Sequence, residues 1–416
     1  VNSPLALLGG TPVVTDPAPH FQWPPTDHLT RKAVLAQLDD TISIYDRSGV
    51  IADLEDALAA YFGSRYAVLT SSGTAGLYSM YAACGLRPGD EVIVPAYTFF
   101  ATATPLLHLG VIPVLADCDD TGNLDPRELP HRITEKTKAV VVTHMWGMPA
   151  QMRSLAGLAE VYGLQLLEDG SHAHGATIGD GKIGTFGRAA AFSMNGPKPL
   201  SAGEGGFVLT DDENLYYRLL LHGQYNKRCR NEIPEHHSLH RYAVTGMGLK
   251  RIHPLAATIA LDQLRHLDDY LTGRNHIATY IADRLDGLPG IVATRAAPET
   301  RPSWYGMALQ YRPEELEGIP VERIHQALLA EGCRDIDRPG STCPLNLLEL
   351  FQTPGTLFPE YAGEFTYRPG EFPHAEHLHH HILKLPVWHR EHDLPLVDRY
   401  LDAIEKVFRH PDHLKG

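Results

Sequence analysis

The chain has 416 residues, 43% hydrophobic and 21% charged, with a formal net charge of −14. This is the composition of an ordinary soluble globular protein with room for two or three domains. The acidic balance excludes a binder of nucleic-acid backbone, which carries a basic stripe, and no apolar run approaches the roughly 20 residues of a membrane span. Five scattered cysteines without a CxxC, and a start (Val1-Asn2-Ser3-Pro4) lacking the basic and apolar regions of a signal peptide, predict a reduced, cytoplasmic protein.

Residues 1–25 contain Gly9-Gly10-Thr11-Pro12 and Trp23-Pro24-Pro25 and read as an extended arm over the body. Helices are expected over 27–38 and 51–61, the second with Leu54, Leu58 and Tyr61 on one face, separated by a loop at 42–49. A strand at 66–70 runs into Ser71-Ser72-Gly73-Thr74-Ala75-Gly76 and a helix through Cys84. A strand, a small-residue turn and a helix start form an anion seat, although a plain helix cap has the same pattern. A strand at 91–95 leads through Tyr97-Thr98-Phe99-Phe100 into a further helix; one of the two phenylalanines is expected in the core. Strands at 111–116 and 138–143 and a helix at 149–162 continue an alternation that predicts right-handed βαβ crossovers and a mainly parallel sheet.

The stretch 164–206 is the chemical centre. Leu164-Gln165-Leu166-Leu167 ends on two carboxylates, Glu168 and Asp169, and Ala189-Ala190-Ala191-Phe192-Ser193 precedes Met194-Asn195-Gly196-Pro197-Lys198-Pro199. A carboxylate at a buried strand end needs a partner. A lysine between Pro197 and Pro199 cannot lie mid-helix and is presented from a fixed loop. One reading of Asp169 and Lys198 is a structural ion pair. The other is a pyridoxal 5'-phosphate (PLP) site, with the lysine condensing on the cofactor aldehyde and the acid holding the ring nitrogen protonated.

Beyond it, 214–221 is helical, and 222–239, with Lys227-Arg228-Cys229-Arg230, reads as a solvated loop. Helices are expected at 255–267 and 268–285, then a strand at 306–311, and helices at 320–331 and 394–408. The cluster His374-Ala375-Glu376-His377-Leu378-His379-His380-His381 lacks the ligand spacing of a metal site and reads as a helix face with exposed histidines; no metal is assigned.

The runs Glu168-Asp169-Gly170-Ser171-His172-Ala173-His174-Gly175 and Phe192-Ser193-Met194-Asn195-Gly196-Pro197-Lys198, continuing to Gly203-Glu204-Gly205-Gly206, resemble the DegT/StrS group of PLP-dependent sugar aminotransferases. The resemblance implies an α/β, fold type I PLP-dependent transferase with a mainly parallel seven-stranded sheet. Its domains would be an arm at 1–25, a PLP-binding domain at 26–275 and a smaller α+β domain at 276–416. It implies Lys198, Asp169 and His172 as catalytic groups, with Gly73, Thr74, Phe99, Ser193 and Lys250 also holding the cofactor. Phe99 stands where the family stacks an aromatic on the pyridine ring, and Ser193 where a serine reaches the phosphate. Lys250 would reach the phosphate of a neighbouring subunit in a homodimer with shared sites, although here it directly precedes Arg251, one residue short of the family motif.

The implied reaction is a ping-pong transamination through pyridoxamine phosphate, from glutamine or glutamate to a keto-sugar or keto-cyclitol, in antibiotic or amino-sugar biosynthesis. Nucleotide-sugar aminotransferases, aminobenzoate-type dehydrating synthases and a catalytically silent regulatory protein are the alternatives. The family's dehydratases replace the lysine by histidine, so Lys198 favours the aminotransferases. Tyr45, Trp304 and Tyr305 are candidates for the sugar pocket but are expected to serve packing. No nucleic-acid or membrane partner is implied.

Overall fold

Short apolar runs rich in β-branched residues build the central sheet of this computed structural model, which describes residues 4–244 and 250–414. Its strands are β1 (Tyr66–Thr70), β2 (Glu91–Pro95), β3 (Ile112–Ala116), β4 (Thr137–Thr143), β5 (Gln165–Asp169), β6 (Ala189–Ser193) and β7 (Gly206–Thr210), in the order β1-β7-β6-β5-β4-β2-β3. β3, β2, β4, β5 and β6 run parallel, and β7 is antiparallel to both β6 and β1. Val92, Ile93 and Val94, and Val140, Val141 and Val142, are wholly buried, as strands covered on both faces must be.

The covering helices include α1 (His28–Asp40), α2 (Gly49–Phe62), α3 (Gly73–Ala83), α4 (Met152–Tyr162) and α5 (Glu213–Gly223). Asp27 caps α1 by accepting from the N–H groups of Leu29 and Thr30. Where a loop was expected after 222, residues Asn226–Glu232 form a short helix, α6, with Lys227 and Arg230 exposed as expected but Arg228 and Cys229 buried. Arg228 is 1% exposed and donates to both oxygens of Glu55 at 2.8 and 2.7 Å, and to Glu232 at 2.7 Å. Glu55 sits on the inner, leucine-bearing side of α2, so it needs a cation, and Arg228 is buried to supply one.

The two helices expected after residue 254 are one, α7 (Pro254–Arg284), since Leu264, Leu267 and Leu271 keep the helical period across the expected break. Gly273 has a packing reason in the middle of this helix. A Cβ there would lie 1.8 Å from the carbonyl oxygen of His389, which closes onto the bare backbone.

A second core gathers around a three-stranded sheet of β8 (Ile291–Ala293), β9 (Met307–Tyr311) and β10 (Ile382–Leu385), with α8 (Val321–Ala330) and α10 (Leu394–Phe408), while Ala375 and Leu378 of α9 (Pro373–His380) pack into the core of the main sheet. The start of the chain docks here. Buried Glu331 accepts from the N–H groups of Ala6 and Val13 and pairs with Lys406 at 2.8 Å, while Arg399 grips Asp16 through two bonds of 2.6 Å. His377 and His381 lie tilted against each other at the end of α9, with ring centroids 4.4 Å apart.

Replacing Glu55 with Gln leaves the buried Arg228 guanidinium with Glu232 as its remaining carboxylate partner, and the expected cost is about 1–3 kcal/mol, read as a lower midpoint in urea unfolding.

Candidate active site

Strand register carries the ends of five strands to one edge of the sheet. Thr143 pairs with Asp169, Asp169 with Ala191, Ser193 with Gly206, and Gly206 with Thr70. Outside carboxyl ends such as these, open α/β sheets bind their ligands. A cavity of about 420 Å³ lies there, and Gly73, Thr74, Phe99, Asp169, His172, Ser193 and Lys198 all line it.

The two acids of β5 are separated by the alternation of a strand. Glu168 turns into the body, where the N–H groups of Gly184, Phe186 and Gly187 donate to it at 2.7–2.8 Å. His144 Nδ1 accepts from Ala150 N–H, so Nε2 carries the proton and faces Glu168 at 3.3 Å. Asp169, 4% exposed, turns to the cavity and accepts from Thr102 Oγ1 at 2.7 Å and from Ser171 N–H at 3.1 Å. Thr102 spends its proton on Asp169, so it accepts in turn from a second hydroxyl, with Thr98 2.8 Å and Thr143 3.5 Å away.

Lys198 is held by its backbone. Its N–H donates to Asn195 at 2.9 Å, and its carbonyl accepts from the Trp23 indole N–H at 2.7 Å. Arg274 of α7 lies 4.1 Å from the centre of the Trp23 ring and donates to the carbonyl of Trp304 at 2.9 Å. The Lys198 amine stands 4.4 Å from the centre of the Tyr305 ring. Burial pushes it down to about 8, with Asp169 pulling the other way and Lys384 adding to the fall. Near neutral pH a sizeable fraction of this amine is therefore uncharged and nucleophilic.

Tyr305 belongs to a pile of near-parallel rings, 4.2 Å from His172 and 6.1 Å from Trp146. Burial first, then the charges of Lys198 and Lys384, hold His172 well below its usual value, so it is neutral. Its carbonyl accepts from Ser303 Oγ at 2.6 Å, while its Nδ1 has no partner among the described residues. Burial likewise pushes His174 down to about 3.

At the opposite end of the cavity, Ser72 caps α3 by accepting from Ala75 N–H at 3.0 Å. The N–H groups of Gly73 and Thr74 find no acceptor among the described residues, as the first turn of a helix leaves them. A Cβ at Gly73 would lie 2.5 Å from Cβ of Ser193, so only glycine lets the helix start approach that serine.

Lys250 does not line the cavity. Its carbonyl accepts from Ser71 N–H at 2.7 Å and its amine lies 4.0 Å over the Tyr78 ring, while Thr245 to Leu249 of the same motif fall outside the described residues. Phe99 reaches the cavity, but Phe100 is 39% exposed rather than core, because the chain turns outward at the end of the Tyr97–Phe99 ribbon. Tyr305 lines the cavity, against the packing role expected for it. Trp304 is buried, its indole bonded to Asn275, and Tyr45 faces Arg251 elsewhere.

Sequence reasoning missed Thr98, Thr102 and Thr143, the Trp23 bond, and Ser341 with Thr342, which arrive because Thr342–Pro344 pairs with Tyr97–Phe99. Only long-range pairing reveals these last two.

The orphaned helix-start N–H groups beside Ser193, the unpartnered nitrogen of His172 and the acid facing an amine fit a phosphorylated pyridine aldehyde. A mostly parallel sheet that gathers these groups at its carboxyl edge defines a fold type I PLP enzyme. The chain belongs to the DegT/DnrJ/EryC1/StrS aminotransferase family, whose pattern it matches over residues 32–394. It is 33% identical over 367 residues to the spore coat polysaccharide biosynthesis protein SpsC of Bacillus subtilis, covering 87% of this chain and 90% of that one. It is 36% identical over 361 residues to the L-glutamine:scyllo-inosose aminotransferase of Streptomyces griseus, covering 83% and 84%. Among solved structures, S. venezuelae DesV superposes with a TM-score of 0.73 at 30% identity, over 90% of this chain and 94% of that one. The protein is thus an aminotransferase, and its cofactor is PLP.

Two outcomes follow from the lysine's surroundings. Capture of PLP by the apoprotein accelerates as pH rises, with a midpoint near 8 rather than the ordinary lysine value of 10.5, in stopped-flow absorbance. Trp23→Phe, which keeps a ring on Arg274 but loses the bond to the Lys198 carbonyl, lowers stability by about 1 kcal/mol in chemical denaturation.

Proposed function

We propose that this enzyme moves the amino group of glutamine or glutamate onto a keto-cyclitol or a closely related keto-sugar, in the biosynthesis of an aminated cyclitol such as an antibiotic component. The observation that carries this reading is the lining of the cavity. Beyond the groups assigned to the cofactor it offers Ser171, Asn195, Glu204, Tyr305, Ser341 and Thr342, donors and acceptors suited to a polyol. Among the described residues, Lys198 is the only lysine or arginine that lines it, which suits a substrate without phosphates. Two members of the cluster after residue 226 are engaged elsewhere, Lys227 with Asp46 at 2.7 Å and Arg228 with Glu55, which weighs against a nucleotide-linked substrate. The similarity to the Streptomyces griseus enzyme, named for glutamine and scyllo-inosose, points the same way.

PLP, when bound, supplies an aldehyde that captures an amine and a ring that accepts the electrons released at the donor carbon. Gly73 and Thr74 N–H groups and the Ser193 hydroxyl would hold its phosphate, and Asp169 would keep its ring nitrogen protonated. Phe99 and His172 would complete the seat of the ring. Lys198 would anchor the cofactor, and its amine would serve as the base and acid that moves the donor-carbon proton. Ser171 N–H and Thr102 keep the Asp169 carboxylate turned to the cavity, and Trp23 fixes the loop from which Lys198 acts.

Lys250 serves the phosphate of a second copy's site in a homodimer; its amine lies over Tyr78, and it does not line its own cavity. Residues 1–25, 26–275 and 276–416 are taken as arm, cofactor domain and small domain. Five buried free cysteines support a cytoplasmic setting, and no described helix is long and apolar enough to cross a membrane.

The test is amination of a panel of keto-cyclitols and nucleotide-linked keto-sugars by PLP-loaded protein with glutamine and with glutamate. Product is expected from the cyclitols, and Lys198→Ala is expected to lose about 10²–10⁴-fold or more in turnover. Full turnover by that variant, or product only from nucleotide-linked ketones, contradicts the reading. An active, monodisperse monomer contradicts the role of Lys250.

A further inference from the structure

The cavity's own chemistry raises a question of charge. An amino donor arrives with a carboxylate on the carbon that reacts, and Lys198 is occupied at the cofactor. Among the described residues, no other lysine or arginine lines the cavity.

One more amine stands at its wall. Lys384, on β10, is half-buried, and its Nζ lies 5.2 Å from the centre of the Tyr305 ring, the ring that carries Lys198 at 4.4 Å, and 5.7 Å from the centre of Trp146. The stem of the side chain is fixed. It runs across the bare backbone of Gly306, where an added Cβ would meet Cε at 3.0 Å and Cγ at 3.1 Å. The backbone on either side is fixed as well, paired with Ala308 in the sheet and exchanging bonds of 2.8 and 2.9 Å with Asp337.

What Lys384 lacks is an anion. Its amine makes no hydrogen bond or ion pair among the described residues, and the carboxylate of Asp337, on an exposed residue, makes no ion pair with it. A half-buried ammonium held by its stem and left without a counterion is costly unless an anion comes to it. Burial lowers its affinity for the proton, the more distant charge of Asp337 opposes that fall, and a carboxylate arriving in contact opposes it further.

We propose that Lys384 receives the α-carboxylate of the amino donor, a binding group that acts in the donor half-reaction and has no counterpart to meet in an uncharged keto-cyclitol. The inference rests on the reading of the enzyme as an amino-acid-dependent transaminase. It divides labour between two lysines on one aromatic wall: Lys198 handles the amine and the proton, and Lys384 the charge that orients them.

The experiment compares holoenzyme of wild type, Lys384→Met and Lys384→Arg. The first readout is calorimetric affinity for glutaramate, which keeps the carboxylate and side-chain amide of glutamine but has no amine to react. Lys384→Met is expected to bind it about tenfold or more weakly, the size of a charge-assisted hydrogen bond, with Lys384→Arg recovering most of the loss. The second readout is single-turnover kinetics of the two halves: the concentration of glutamine giving half-maximal rate rises by the same factor, while amination of the ketone by the aminated enzyme slows far less. Unchanged glutaramate affinity in Lys384→Met overturns the proposal. Equal slowing of both halves, or a moved pH midpoint of the cofactor absorbance with affinity intact, also overturns it, since Lys384 would then act on Lys198 and not on the donor. Wild-type protein that turns over neither glutamine nor glutamate would instead remove the function on which the inference stands.

Discussion

A carboxylate placed at the end of a buried strand must be matched by donors, and much of this protein is arranged to match one. Asp169 lies at the carboxyl edge of the sheet, with a hydroxyl on one oxygen and a backbone N–H on the other. Its neighbour Glu168 points the opposite way and is satisfied by three N–H groups of the 184–187 turn. Because that turn is tied to Glu168, the chain leaves it on course to form β6 beside β5, and β6 delivers Ser193 and the lysine loop. One pair of adjacent acids therefore fixes both the floor of the cavity and the route of the segment that carries its amine.

The amine is tuned by the same surroundings. Desolvation lowers its proton affinity, the acid across the cavity restores part of it, and a second lysine removes some again. Neutral histidines at 172 and 174 fill the space around it without adding charge. The cavity thus keeps few formal charges, Asp169, Lys198 and Glu204, within a lining of hydroxyls, amides and rings.

Much of this was legible in the sequence, for identifiable reasons. Strands such as Tyr66–Thr70 and Glu91–Pro95 are bounded by turn residues and uninterrupted by polar ones, so their limits follow from pattern alone. Lys198 was legible because two prolines forbid helix around it, and Asp169 because an acid ends an apolar run. The errors share a cause: the deciding partner is far away in sequence. Arg228 reads as a surface charge until Glu55, 173 residues earlier, is seen buried against it. Ser341 and Thr342 carry no motif and reach the cavity through one short ribbon. Trp23 reads only as part of an extended arm over the body, because its bond to the lysine carbonyl spans 175 residues.

That last bond also has a bearing on the order of synthesis. Trp23 is made well before the residues that seat the segment leading to it, Glu331, Arg399 and Lys406. Until α10 has emerged and folded, the arm has no berth, and the lysine loop waits without its indole. Catalytic competence therefore waits on α10, when segments far apart in the sequence meet.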